Sequence, residues 1–279
     1  MNQVCLNGKF LPATPALLRA DNRGYRYGEG LFETMRRTAS SIPLLDFHLD
    51  RLFEGISRLG FRPPASFTPG RIRKAIDQLV VRNRCGPAAR VRLSVFRGNG
   101  ALTDPDPPMQ WLLEAWPLAP NYKALNAKGL AIDFFPDAQK PIDQFSSLKT
   151  SSYLAYAMAS RYARSRGLDD CLLSNSQGRI ADASVANLFL IKNRLVITPA
   201  LTEGPVAGVM RRFLLERLPA MNFEVREGVV TRNDLDSFDE AFLTNAVYGI
   251  RWVGRFQRKK FKQDQVREIY RELITPLFA

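Results

Sequence analysis

Lys149 stands in the run SSLKTSSYL, and Asp182 follows it 33 residues later in GRIADASVANLFLIKN. An amine can condense with an aldehyde to a Schiff base, and a carboxylate on a later hairpin can keep a pyridine nitrogen protonated. A lysine by itself is most often a solvated surface charge, so the pair gains meaning only from its surroundings. An unperturbed lysine, with a pKa of about 10.4, is a poor base at neutral pH. A site that uses one as a base has to strip water from it or place positive charge beside it.

Other residues have types and spacings that could serve the same chemistry. His48 and Arg51 lie three apart in FHLDRL, inside a helical pattern, so both face the same way. For His48 the expectation is a structural role with a backbone partner. Arg51 suits a bidentate anion contact, or a surface salt bridge. Arg90 and Arg92 share one face of RVRLSVFR while Val91, Leu93 and Val95 cover the other, and that basic face could hold carboxylates. Gly208, Val209 and Met210 open a predicted helix, whose first amides could bind phosphate through geometry and the local dipole. Tyr25, Tyr27 and Phe32 could wall a substrate cavity or pack in a core.

The elements that must position these groups follow from periodicity and turn signals. QVCLNGKFLP reads as two strands about an Asn-Gly turn, and LFETMRRTASSIPLLD as a hairpin turning near residues 39–41. Helical spacing of apolar residues from Phe47 to Leu59 predicts one helix, and Arg71 to Arg82 a second. YLAYAMASRYARSRG reads as a helix ended by Gly167. A meander of strands with polar turns is expected from CLLSN to LVITP. A helix should follow Gly208 and stop before Pro219, then strands at FEVREGVV and EAFLTNAV, and a closing amphipathic helix at DQVREIYRELITPLF. Two prolines and an unpatterned polar run set a domain connection at 119–127, between domains at 1–118 and 128–279.

Composition removes several classes of function. With 279 residues and 46% apolar content the chain can build a sizeable core. No segment is apolar for long enough to span a membrane, and no secretory leader is read at the start, so a cytoplasmic protein is expected. One histidine, and three cysteines without metal spacing, leave no metal site to predict. The net charge of +13 raises nucleic-acid binding as an outside alternative. The basic residues are scattered, however, and no recognition motif surrounds them, so attraction of an anionic substrate and a cofactor phosphate is the preferred reading.

The landmarks, taken in order, resemble a known family. DNRGYRYGEGLFETMR, the His-x-x-Arg of FHLDRL, Lys149 before Ser-Ser-Tyr-Leu, and Gly178, Asp182, Asn187, Leu188 and Phe189 in a Gly-x-x-x-Glu-x-x-x-x-Asn-Leu-Phe pattern are similar to the class IV, fold type IV pyridoxal-phosphate enzymes. TEGPVAGVMRRF and DEAFLTNAVYGIRWV extend the likeness nearly to the end. The resemblance implies an α+β fold in two domains, like D-amino-acid aminotransferase, with pyridoxal 5′-phosphate in the cleft between them, and a homodimer. It implies Lys149 as the Schiff-base lysine, Arg51 on the phosphate, Tyr153 at the phenolic oxygen, and Asp182 at the ring nitrogen in place of the usual glutamate. Val209, Met210, Asn245 and Ala246 complete the implied cofactor contacts. Arg92, with Arg90, aligns with the substrate-binding position. Aminotransferases of the family usually carry threonine at the positions of Met210 and Ala246. Their absence, with GVMR and YGEGLFET, points toward aminodeoxychorismate lyase, which releases 4-aminobenzoate and pyruvate from 4-amino-4-deoxychorismate in folate synthesis. KTSSYL is closer to the aminotransferases acting on branched-chain or D-amino acids, which stand as the alternative.

Overall fold

The computed structural model describes residues 2–39, 41–119, 122 and 124–279. It separates into two compact units, one of residues 1–120 with 148–153 and one of 121–147 with 154–279. Part of the expected connection, at Pro120, Asn121 and Lys123, lies outside the described residues, as does Ser40 in the expected hairpin turn.

The first unit contains β1 (Gln3–Leu6), β2 (Lys9–Pro12), α1 (Arg23–Tyr27), β3 (Gly30–Arg37), α2 (Leu45–Arg58), α3 (Pro69–Arg82), β4 (Ala89–Arg97) and β5 (Met109–Pro117). Its sheet runs β2-β1-β5-β4-β3, antiparallel throughout. Asn7 and Gly8, at φ 51° and 85°, make the predicted tight turn between β1 and β2. Alternate residues Val91, Leu93 and Val95 of β4 and Trp111, Leu113 and Ala115 of β5 are buried in one core with Leu49, Leu52 and Ile56 of α2 and Ile72, Ile76 and Leu79 of α3. Those helical positions recur at three and four residues, the stripe that docks a helix on a sheet. Thr68 caps α3 by accepting from the Arg71 amide, and Pro69 fills the first turn where no amide is needed.

The expected hairpin at 31–46 does not form. β3 pairs along its whole length with β4, from Gly30 opposite Phe96 to Arg37 opposite Ala89. The chain then turns through Thr38, whose amide donates to the Ser41 carbonyl, and enters α2 from Leu44 at φ 59°. Proline at 43 and the helical spacing that follows outcompete a second strand.

The other edge of β3 takes up a distant piece of chain. Phe32 N–H donates to Lys149 O, Ser151 N–H donates to Gly30 O, and Leu31 bridges Thr150. Residues 148–153 therefore group with the first unit, whereas the order of the sequence places Lys149 in the C-terminal domain.

The second unit contains β6 (Leu130–Phe134), α4 (Leu154–Ser165), β7 (Asp170–Ser174), β8 (Ile180–Ala183), β9 (Asn187–Lys192), β10 (Leu195–Pro199), α5 (Val209–Arg217), β11 (Glu224–Gly228), α6 (Arg232–Ser237), β12 (Glu240–Asn245), β13 (Gly249–Phe256), β14 (Lys259–Lys260) and α7 (Asp264–Ile269). After α7 the helix continues through a π-helical turn at Tyr270–Ile274 to a last turn, α8 (Thr275–Leu277). The sheet path is β11-β10-β9-β12-β13-β6-β7-β8, with β14 beside β13.

The expected meander is interrupted: β7 and β8 form one hairpin and β9 and β10 another, but β8 ends the path while β9 joins β12. β6 lies between β13 and β7 in parallel register, a strand the pattern does not reveal because only Ile132 of its five residues is fully buried. Phe189 and Phe242 are opposite in register, fully buried, and stacked at 4.9 Å with 6° between their planes. Such a pair stabilises the β9–β12 junction that carries Asn187.

Candidate active site

In the first unit, Lys149 Nζ sits 4.4 Å from the centroid of the Phe32 ring and 5.3 Å from that of Tyr153. The two rings meet edge to face at 5.4 Å. Aromatic faces attract a cation and replace water around the amine. The Arg92 guanidinium lies 3.8 Å from the Phe32 centroid, so one ring is in contact with two basic groups. Arg92 also donates from Nε to Ser94 Oγ at 3.2 Å and reaches Glu114 at 3.9 Å. Burial lowers the Arg92 pKa, against the attraction of Glu114, while burial raises that of Glu114, against the two arginines. The separation is too long for a strong charge-assisted bond. Arg90 shares the face of Arg92 but is exposed. Tyr25 and Tyr27, on α1, are exposed as well, which rules out core packing for them.

Arg51 and His48 meet on the core-facing side of β3, around a residue that the motif reading does not single out. Glu33 is buried, accepts from Arg51 Nε at 2.8 Å and Nη2 at 2.5 Å, and lies 2.6 Å from His48 Nδ1. The partner of His48 is thus a carboxylate, not the expected backbone group. Two positions three apart on α2 project over one strand residue, which is why a single carboxylate serves both. Burial opposes ionisation of Glu33, but the Arg51 charge and the His48 contact prevail and hold its pKa at about 2. Burial pushes the His48 pKa down, against Glu33, and the charges of Arg51 and Lys149 add to the fall. Its Nε2 is buried without a hydrogen-bond partner among the described residues. The alternation of β3 places Glu33 on the inner face, and an acidic residue there is the available signal.

In the second unit, Asp182 lies on β8 and is buried. Its Oδ2 accepts from Tyr156 Oη at 2.9 Å and from the Val206 amide at 2.8 Å, and its Oδ1 accepts from Asn187 Nδ2 at 2.8 Å. Three donors fix where the carboxylate points. Lys140, buried, donates to Ser146 O at 3.2 Å and lies 4.8 Å from the Tyr156 centroid. Burial lowers its pKa, opposed first by Asp182 and then by Asp143. No motif in the sequence points to Tyr156 or Lys140.

Val209 and Met210 form the first turn of the nine-residue α5, with Gly208 at its N-cap and no side-chain cap among the described residues. A Cβ on Gly208 would collide with Asn187 Oδ1, so with Asn187 in place only glycine fits here. Asn245 ends β12, accepts from the amides of Val247 and Tyr248, and donates to Val185 O, setting the turn that holds Ala246.

The model of the amino-transferase class IV family matches residues 30–256. A putative branched-chain-amino-acid aminotransferase of Methanocaldococcus jannaschii is 28% identical over 97% of this chain and 93% of its own length. An aminodeoxychorismate lyase of Bacillus subtilis is 28% identical over 88% of this chain and 84% of its own. Among solved structures, the branched-chain amino acid aminotransferase of T.th., with pyridoxamine 5′-phosphate, superposes at a TM-score of 0.86, with 23% identity, over 99% of this chain and 95% of that one. A putative 4-amino-4-deoxychorismate lyase of Legionella pneumophila superposes at 0.84, with 22% identity, over 95% and 97%. The mixed helix and strand fold is therefore one that both kinds of enzyme share. Among the described residues no helix is long and apolar enough to cross a membrane, and no cluster of three metal-ligating side chains occurs.

Proposed function

The chain belongs to the class IV aminotransferase family and has its fold type IV architecture, and from that premise we propose that it is a pyridoxal-phosphate lyase acting on 4-amino-4-deoxychorismate. Each unit carries groups of the kind the cofactor would need. Lys149, with its amine against two aromatic faces, would hold the aldehyde carbon. Asp182, an acceptor fixed by three donors, would take the proton-bearing ring nitrogen. The first turn of α5, in the second unit, would offer backbone donors to the phosphate, and Arg51, in the first, a guanidinium. Tyr153 would approach the phenolic oxygen, and Asn245 with Ala246 the phosphate side.

When bound, the cofactor supplies a protonated pyridine ring that takes up the electron pair released beside the substrate nitrogen. The Lys149 amine would accept at Nζ the proton from the carbon bearing that nitrogen. Phe32 and Tyr153 keep water from Nζ while it does so. Arg92, stacked on Phe32 and weakly paired with Glu114, gains a stronger partner in a substrate carboxylate, with Arg90 behind it. In the lyase the bond from ring carbon to enolpyruvyl oxygen would then break, the enolate released would take up a proton to become pyruvate, and aromatisation of the product would drive the elimination.

The observation that carries the reading is the Lys149 amine seated between Phe32 and Tyr153, on a strand pairing that also holds Arg92 against the same ring. The absence of threonine at 210 and 246 favours the lyase. KTSSYL, and the relative from Methanocaldococcus jannaschii, favour the second reading, an aminotransferase for branched-chain or D-amino acids. A homodimer in the cytoplasm completes the proposal.

The purified protein should be yellow, and Lys149→Ala should lose the borohydride-reducible adduct; an adduct that persists, on Lys140 for example, would displace Lys149. Release of 4-aminobenzoate without an amino acceptor supports the lyase. Glutamate formed from an amino acid and 2-oxoglutarate, with no lyase turnover, transfers the assignment to the aminotransferase. Asp182→Ala should abolish turnover, and unchanged turnover removes Asp182 from the ring nitrogen.

A further inference from the structure

Asn187 belongs to the sequence pattern that includes Asp182, yet the chemistry described above assigns it no role. The structure surrounds its side-chain amide on three sides. Nδ2 donates to Asp182 Oδ1 at 2.8 Å and to Val206 O at 2.9 Å. Val206 returns its own amide to Asp182 Oδ2 at 2.8 Å, so carboxylate, carboxamide and peptide close a ring of hydrogen bonds. The Asn187 Oδ1 packs where a Cβ of Gly208 would sit, at the N-cap of α5. Asn187 is itself buried and anchored at the start of β9, opposite Thr244 of β12.

A rigid two-donor amide that spans a carboxylate and the backbone leading into a helix fixes the position of one relative to the other. Neither an alanine nor a serine could make both donations at once. The tight approach at Gly208 adds a steric stop to the two hydrogen bonds.

We propose that Asn187 is a positioning residue that holds the Asp182 carboxylate and the Val206–Gly208 entry to α5 in one frame, so that the ring-nitrogen and phosphate ends of a bound pyridoxal phosphate are set together. The inference rests on the cofactor reading above. It predicts that loosening this one residue weakens both ends.

Equilibrium dissociation constants for pyridoxal 5′-phosphate and for unphosphorylated pyridoxal separate the two ends, because pyridoxal reports the ring end alone. Asn187→Ala should weaken pyridoxal by roughly threefold or more and the phosphate ester by roughly thirtyfold or more, so that the preference for the phosphorylated form also falls about tenfold. If only one of these changes, or neither, in a variant that stays folded, the shared frame is wrong. Asn187→Ser, which keeps a single donor, serves the same measurement if the alanine variant does not fold. A double-mutant cycle gives the second readout. Gly208→Ala should weaken the phosphate ester severalfold in the parent protein and have less than about a twofold effect once Asn187 is alanine. Additive effects would show that Asn187 does not press on the α5 entry. A parent protein that binds neither ligand would instead overturn the cofactor reading itself.

Discussion

Glu33→Gln is the sharpest test of how the first unit holds Arg51. The carboxylate is buried, and its pKa is pulled from an ordinary 4.5 to about 2 despite the opposing effect of burial. That displacement corresponds to about 3 kcal/mol of folding stability. Because the folded value is depressed, the contribution is complete above pH 4.5 and is lost as the pH falls toward 2. Glutamine keeps the shape and one acceptor but removes the charge that the Arg51 side chain, 11% exposed, pairs with at this position. Breaking a buried pair on one side costs about 3–5 kcal/mol, in agreement with the figure from the pKa. Urea unfolding followed by tryptophan fluorescence, in a Trp252→Phe background that leaves Trp111 and Trp116 of the same unit as the emitters, should show a loss of about 3 kcal/mol at pH 7. The difference between parent and variant should then shrink between pH 4.5 and 2. His48 has a depressed pKa, so its own contribution is present above 6.5 and falls away on acidification below that; comparison inside the lower window separates the two groups. A loss under about 1 kcal/mol at pH 7, or a difference that stays constant with pH, would refute the argument that Glu33 is ionised and paired.

Other perturbations have equally definite outcomes. The three cysteines are buried with thiol pKa values raised by burial, that of Cys171 to about 11, so the native protein should give almost no fast reaction with a disulfide reagent at pH 8 while the unfolded chain titrates all three. Gly129→Ala would drive a Cβ into the backbone of Gly254, where β6 and β13 run together past a register shift; a loss of about 1–3 kcal/mol in thermal or urea unfolding is expected, and an unchanged midpoint would mean the two strands can part without cost.

The N-terminal Asn-Gly turn, α2, α3, the alternating β4 and the helix that opens at Val209 are legible because each writes its own signal locally: a turn type, a stripe at helical spacing, or a period of two. Lys149, Arg51 and Asp182 are legible as members of an ordered pattern. β6 is not, since a short strand with one fully buried residue has no period to read, and the 31–46 hairpin fails because β3 finds a better partner in β4, far along the chain. Glu33, Tyr156 and Lys140 escape notice for a different reason. Their meaning lies in partners remote along the chain, and spacing along a sequence cannot express a hydrogen bond across a fold.

What the sequence determined by itself, then, was the stock of reactive groups and the family to which their order belongs: one lysine ahead of a helix, one carboxylate ahead of Asn-Leu-Phe, one arginine three residues from the only histidine. Tertiary structure decided their surroundings. It pairs residues 149–151 with β3, which puts the amine against Phe32 and Tyr153. It also places Asn187 between Asp182 and the entry to α5, and turns Glu33 inward to meet His48 and Arg51. Charge state and orientation depend on burial and on neighbours brought together by folding, and those are properties of three-dimensional packing that the order of residues encodes only through the fold it produces.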